Sequence, residues 1–322
     1  SIGLDDPTVF NRTAIWNAST ALAIGASGTG TNSYGGTHAP DIVGRIRVDQ
    51  AWGLFQVSGS AHLVNASYNN LSAGGAPNAL SEISGHPEDK WGGSVMAALQ
   101  IKNLPTGPGD DFKIDATYAI GDTKQVVSTS GTSPSIAMFG GSGIGYQSVG
   151  FGGTSDAVFA PPGSFGGGPL LGGAGSGLIL TKAWGVRGAF NHNWDPYWSS
   201  SLWGSYGQVK YDGGANDNLA GIGSAKGIIC NGFAATHPGQ TGAAGVGTYS
   251  CNPDWNFAQI GLTTRWTPVK NLTFSAEVGA FFLDQKMEGS SVFTPAAPKP
   301  AALYEFKDQS TVFLNVRAQR NF

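Results

Sequence analysis

The chain has 322 residues, of which 50 are glycine, 12% are charged and 11% are aromatic, and its formal net charge is −3. So little charge excludes a disordered acidic chain, and so much glycine argues against a helical enzyme; many strands joined by loops fit better. The charge balance offers no basic face for nucleic acid, and no run of about 18 apolar residues exists to cross a bilayer as a helix.

The opening Ser1-Ile2-Gly3-Leu4-Asp5-Asp6 lacks the layout of a signal peptide, so export would need a leader already removed or a longer precursor. Period-two alternation marks a strand with one apolar and one polar face. It predicts a first strand over Thr13–Gly25, with Trp16, Ala18, Leu22 and Ile24 on one face. Asp41–Gln50 follows, with Ile42, Ile46 and Val48 opposite Arg45, Arg47 and Asp49. Next come Trp52–Asn65 and Trp91–Lys102, then Asp111–Ala119, where Phe112, Ile114, Ala116 and Tyr118 oppose Lys113, Asp115 and Thr117. A Gly-rich loop of about sixty residues extends to Leu180, long enough to suggest a function. The alternation resumes over Thr181–Asn193, with Arg187 on the polar face, and over Trp198–Val209, where Trp203 breaks the rule by lying on the polar face. Phe257–Thr267 carries Arg265 on its polar face, Leu272–Leu283 carries Glu277, and Thr311–Phe322 carries Arg317.

These ten strands are joined by connections that run long, short, long, short to the end. A soluble sandwich has no reason for such order, whereas an up-and-down barrel in an outer membrane has short turns on one side and long loops on the other. The polar faces carry mid-strand charges, the apolar faces are rich in alanine, and strand-end aromatics such as Trp52, Trp91, Trp198, Trp266, Tyr118 and Tyr197 suit interfacial girdles. The fold expected is all-β, an antiparallel transmembrane barrel forming a single domain over residues 1–322. Parity alone does not say which face is turned inward.

Cys230 and Cys251 share one Gly-rich polar stretch. Two thiolates leave a tetrahedral metal site half filled, and His237 does not complete it; a loop disulfide in an oxidising compartment, or two free thiols, remain. The five histidines are scattered, so no metal site is expected. No nucleophile elbow, P-loop or dinucleotide fingerprint occurs in a suitable context, so no catalytic residues and no cofactor are assigned. The residues expected to line a water-filled passage are Arg45, Arg47, Asp49, Lys113, Asp115, Arg187, Arg265, Glu277 and Arg317, with the arginines forming a basic wall.

Three segments carry a resemblance. Ala39-Pro40-Asp41-Ile42-Val43-Gly44-Arg45-Ile46-Arg47-Val48-Asp49-Gln50-Ala51-Trp52-Gly53, Ala189-Phe190-Asn191-His192-Asn193-Trp194-Asp195-Pro196-Tyr197-Trp198, and Tyr304-Glu305-Phe306-Lys307-Asp308 with the terminal strand are similar to the outer-membrane porins of Rhizobiales and related alphaproteobacteria. The resemblance implies a trimeric outer-membrane porin, usually of sixteen strands, that passes ions and small hydrophilic solutes and folds one loop into its lumen. It implies contact with outer-membrane lipid and lipopolysaccharide. It also implies a terminal Phe322 that helps the barrel assembly machinery recognise its client. With about ten strands visible, the chain looks like the C-terminal two thirds of such a porin, and the constricting loop is expected among the missing strands. Two other functions are kept open: an outer-membrane barrel enzyme such as a protease, and a soluble β-rich binding module.

Overall fold

The structure is a computed structural model that describes residues 1–7, 12–17, 37–67, 85–128, 135–140, 147–160, 176–214, 223–234, 237 and 248–321. Eighteen strands, numbered along the chain, form one ten-stranded, one five-stranded and one three-stranded sheet among these residues. The large sheet is the wall of the molecule. It comprises β1 (Ile2–Asp5), β3 (Asp41–Gln50), β4 (Gly53–Val64), β5 (Lys90–Lys102), β6 (Asp111–Ile120), β11 (Lys182–Asn193), β12 (Trp198–Lys210), β14 (Trp255–Val269), β15 (Leu272–Gln285) and β18 (Gln309–Arg320). They pair in chain order, each neighbour antiparallel, with β1 and β18 at the two edges. Short turns alternate with long connections all along this wall.

The turns follow from their residues. Asn103 and Asn271 adopt φ of 55° and 68°, a left-handed conformation that asparagine tolerates better than most residues, and Gly109 lies at 76°. Between β11 and β12, Asp195 Oδ1 accepts hydrogen bonds from the backbone N–H of Tyr197 at 2.7 Å and Trp198 at 2.9 Å, the local bonding that makes aspartate a turn residue. Asp110 closes the turn between β5 and β6, accepting from Thr106 Oγ1 and the Asn193 N–H and meeting His192 Nδ1 at 2.7 Å. Burial alone would raise this carboxyl, but those hydrogen bonds and the nearby His192 bring it down to about 2.

The remaining strands lie inside the long connections. The five-stranded sheet consists of β7 (Ile136–Gly140), β8 (Ser148–Gly152), β13 (Tyr249–Ser250), β16 (Glu288–Phe293) and β17 (Ala302–Phe306); the three-stranded sheet consists of β2 (Trp16–Asn17), β9 (Ala157–Phe159) and β10 (Ile179–Leu180). A 3₁₀ turn covers Thr123–Gln125 and helix α1 covers Ala225–Ala234. The long Gly-rich connection after β6 is therefore structured in its described parts. β8 and β9 lack readable alternation because they are buried throughout, and β10 because it is two residues long.

The first predicted strand is corrected in the same way. Within Thr13–Gly25, the described residues form only β2, which pairs parallel with β9. Trp16 is buried there and stacks on Tyr211 with ring centroids 5.5 Å apart, so its apolar surface is covered by protein. The edge position in the wall belongs instead to Ile2–Asp5, paired with β3.

The wall resolves the question that parity leaves open. The apolar parities are turned outward and uncovered: Ile46 is 74% exposed, Leu314 69% and Val316 77%, and Val95, Leu202 and Ile260 are exposed as well. The inward parity is polar in mid-strand but becomes apolar at the ends that meet the long connections. There Val64, Ala119, Ala183, Val209, Trp255 and Leu283 are buried. All but Val64 and Ala119 join the main apolar cluster, together with Phe151, Phe233, Tyr249, Tyr304 and Phe306 of the inner elements. The hydrophobic core thus sits inside one end of the wall, and the outward face must find its apolar contact elsewhere.

Candidate functional site: the inner face of the wall

Strand register stacks the inward side chains into rows. One row runs Arg47, Gln56, Ala98, Asp115, Arg187, Ser205, Gln259 and Phe281, each directly opposite the next. Arg187 Nε donates to both oxygens of Asp115, at 2.9 and 2.8 Å, and leaves its terminal nitrogens free of that pair. Arg47 donates to Asp49 from Nε at 2.7 Å and from Nη2 at 3.1 Å, and Lys102 Nζ lies 3.9 Å from the same carboxylate. Arg45 and Arg187 line a common hollow of about 530 Å³ with Gln56, Ser58, Thr117 and Gln125.

Nearer the short turns, a hydrogen-bonded line crosses five strands. Arg265 Nη1 donates to Ser201 Oγ at 2.6 Å, Ser201 donates to Asn191 at 2.5 Å, and Asn191 Nδ2 donates to Asp111 at 2.8 Å. Asp111 also accepts from Gln100 Nε2 at 2.7 Å and pairs with Lys113 Nζ at 3.1 Å. Glu277 accepts from Thr263 Oγ1 at 2.9 Å and from Asn315 Nδ2 at 3.2 Å, while Arg317 stands opposite Ser275 on the edge strand. All nine charged residues singled out in the sequence have inward parity. They are not gathered into one basic wall, because Asp49, Asp111, Asp115 and Glu277 are interleaved with the cations. Asp111 and Lys102 are the additional members of this set; both have polar parity at strand ends, which is the sequence signal that identifies them.

The connection after β6 folds against this inner face. Its 3₁₀ turn brings Gln125 into the hollow beside Arg45 and Arg187, and Val126 lies so close to Gly185 that an added Cβ there would sit 3.2 Å from Val126 Cγ1. The turn is tied to the wall by a buried polar cluster. His62 Nδ1 meets Asp41 Oδ1 at 2.7 Å, and its Nε2 lies 4.0 Å from Asp156 Oδ2. Ser60 Oγ donates to Asp122, and Asp156 accepts from the Thr13 N–H at 2.5 Å and from both the N–H and Oγ1 of Thr123 at 2.7 Å. Burial pushes the Asp122 carboxyl up to about 7, so it keeps its proton where an exposed aspartate would release it, and burial raises Asp156 as well. Among the described residues no group of three or more His, Cys, Asp or Glu is placed to hold a metal ion.

Cys230 of α1 and Cys251 are joined by a disulfide. Beside it Lys226 Nζ pairs with Asp254 Oδ2 at 2.7 Å, with both side chains largely buried. Phe322 lies outside the described residues.

Aromatics mark both rims of the outward apolar band. Trp198 stacks on Trp266 at 5.8 Å, and Trp266 on Phe274 at 5.6 Å, at the short-turn end; Trp184 and Tyr206 meet at 5.5 Å toward the other. Trp198 and Tyr206 are eight residues apart on β12. At about 3.3 Å per residue and a tilt of about 40° this separates the rims by about 20 Å, the scale of an outer-membrane apolar band.

A family model described as the Porin subfamily matches residues 1–315. The chain belongs to this family. A search of curated proteins returns no match. Among solved structures, the outer membrane channel DcaP of Acinetobacter baumannii is similar at 13% identity, over 96% of this chain and 70% of that chain, with a TM-score of 0.34. Family membership makes the wall that of an outer-membrane porin, a general channel. The outward aliphatic face then meets lipid, and neither the soluble binding module nor the barrel enzyme is favoured.

Proposed function

We propose that this porin passes ions and small hydrophilic solutes passively along its inner face, without catalysis, and that Arg45, Arg47, Asp49, Lys113, Asp115, Arg187, Arg265, Glu277 and Arg317 line the route. The observation that carries this reading is the orientation of the wall: apolar parities outward and uncovered, charged parities inward. Paired charges of both signs along a water-filled path create a transverse field that favours small hydrated solutes over apolar ones. The outward face supplies apolar surface for lipid, for the acyl chains of lipopolysaccharide and for contacts within a homotrimer. Assembly through a terminal-strand signal at Phe322 belongs to the same reading.

Reconstitution of the folded protein into planar bilayers tests it. Stepwise KCl conductance is expected, in groups of three if the trimer is right. Arg187→Glu should shift the ratio of cation to anion permeability toward cations. Folded protein that never conducts would contradict the reading, and conductance in single steps from a protein of monomer mass would remove the trimer.

A further inference from the structure

Trp203 is the residue that breaks the alternation of its strand. The register shows what its inward position requires: Trp203 stands opposite Gly261, and the inward Phe313 stands opposite Gly279. A Cβ on Gly261 would lie 2.3 Å from Trp203 Cζ2, and one on Gly279 would lie 2.5 Å from Phe313 Cζ, so each ring lies flat on a glycine. The two rings stack with centroids 6.3 Å apart and planes 24° apart. The indole is fixed in rotation because Nε1–H donates to Thr263 Oγ1 at 3.1 Å, and Thr263 is itself committed to Glu277. A half-buried, immobilised aromatic surface therefore faces the passage between rows of charged residues.

On the other side of Trp203 the wall is low. Ala189 lies opposite both Trp203 and Lys113, and with Gly188 and Gly204 it floors a notch of about 340 Å³. Trp203 forms one side of that notch, and Lys113, Asp115 and Arg187 the other. Two strand spacings, about 10 Å, separate the backbone of Trp203 from that of Lys113. Asp115 is satisfied by Arg187 Nε, which leaves the terminal guanidinium nitrogens as donors beside the notch, and Lys113, paired with Asp111 at 3.1 Å, keeps a half-exposed ammonium there. The indole leans over Gly261 rather than over Ala189, so its uncovered face looks into the passage beside the cationic donors, and together they complement a flat anion.

We propose that this notch binds aromatic carboxylates in transit, the ring against Trp203 and the carboxylate toward Lys113 and Arg187. It rests on the channel reading and adds to it a preferred class of solute. A planar π-face gains contact with a fixed indole that an aliphatic acid of equal charge does not, and a charged group gains hydrogen bonds from ammonium and guanidinium that a neutral aromatic does not.

The test records single-channel KCl current while benzoate, acetate or benzyl alcohol is added to one side. For the wild type, benzoate should interrupt the current at concentrations about tenfold lower than either of the others. Trp203→Ala should raise the half-effective benzoate concentration by about tenfold, the size of one aromatic contact, and Trp203→Phe should recover most of it. Lys113→Gln should weaken benzoate and leave benzyl alcohol where it was. If Trp203→Ala fails to refold, Trp203→Leu keeps bulk without a π-face and carries the same comparison. Benzoate acting no better than acetate, benzyl alcohol acting as well as benzoate, or indifference to Trp203→Ala in a conducting channel each overturns the inference alone. Absence of KCl current in the wild type overturns the channel reading and the inference with it.

Discussion

Single residues decide how the inner face is built. Gly261 and Gly279 are needed because aromatic rings occupy the space above them. Gly261→Val should destabilise the folded protein by about 1–3 kcal/mol, as overpacking does. The check is the urea midpoint of the transition from the compact to the unfolded form on unheated gels, with Gly53→Ala as a second close-approach site. Asp110 offers a pH readout. Its carboxyl is lowered to about 2 in the fold, so the stability it contributes is present above its ordinary value of about 4 and lost as pH falls toward 2. Asp110→Asn should therefore flatten the loss of stability between about pH 4 and 2, seen as a smaller shift of the same midpoint with acid. Sequence marks the charged residues by parity but not their pairing. Arg187 and Asp115 are 72 positions apart, and only the register of β6 with β11 brings them together.

Long elements with one uncovered face are legible; short ones, and those buried throughout such as β8 and β9, are not. Asp41–Gln50 reads cleanly because Ile42, Ile46 and Val48 are outside and Arg45, Arg47 and Asp49 inside, so the pattern in the chain is the pattern in space. Ile2–Asp5 is too short to show alternation, and Trp16 looks lipid-facing although its ring is enclosed beside Tyr211. β7, β8, β9, β16 and β17 owe their form to tertiary contact, including parallel pairs between β17 and β8 and between β2 and β9 that no local signal announces. The inner 3₁₀ turn carries a prediction of its own. Asp122 has its value raised to about 7, so its contribution to the docked turn is full below about pH 4 and declines as pH rises through about 7. It faces Ser60 and His62 from β4, Asp41 from β3 and Asp156 from the loop before β9. Hydrogen-exchange protection of residues 121–128, corrected for the intrinsic pH effect, should fall severalfold between pH 5.5 and 8. Asp122→Asn should remove that dependence, and a pH-independent protection in the parent would refute it. Helix α1 is held by the Cys230–Cys251 bond across a sequence separation of 21, and losing a bond over such a loop should cost about 3 kcal/mol in the chain-entropy model. A Cys230→Ala/Cys251→Ala double variant compared in the same urea assay checks this.

At the scale of the molecule, two apolar surfaces have different partners. The inner one is enclosed by packed aromatics at the long-connection end. The outer one is a band of exposed valine, leucine and isoleucine bounded by aromatic rims, the kind of surface that marks a membrane or protein contact. Burial in hydrocarbon stabilises that band, and the eight strands between β1 and β18 are each paired on both sides, which meets their demand for backbone hydrogen bonding in hydrocarbon. The alternation of short and long connections is legible in the sequence because turn chemistry is local. Which face lies inside is not, because it depends on what the long connections fill. The account rests centrally on that orientation. Cysteine substitutions at the adjacent residues Gln259 and Ile260 of β14 test it directly, since the native cysteines are bonded to each other. In reconstituted protein, a membrane-impermeant, charged thiol reagent should modify Gln259→Cys and spare Ile260→Cys. Modification of Ile260→Cys with protection of Gln259→Cys would contradict the account.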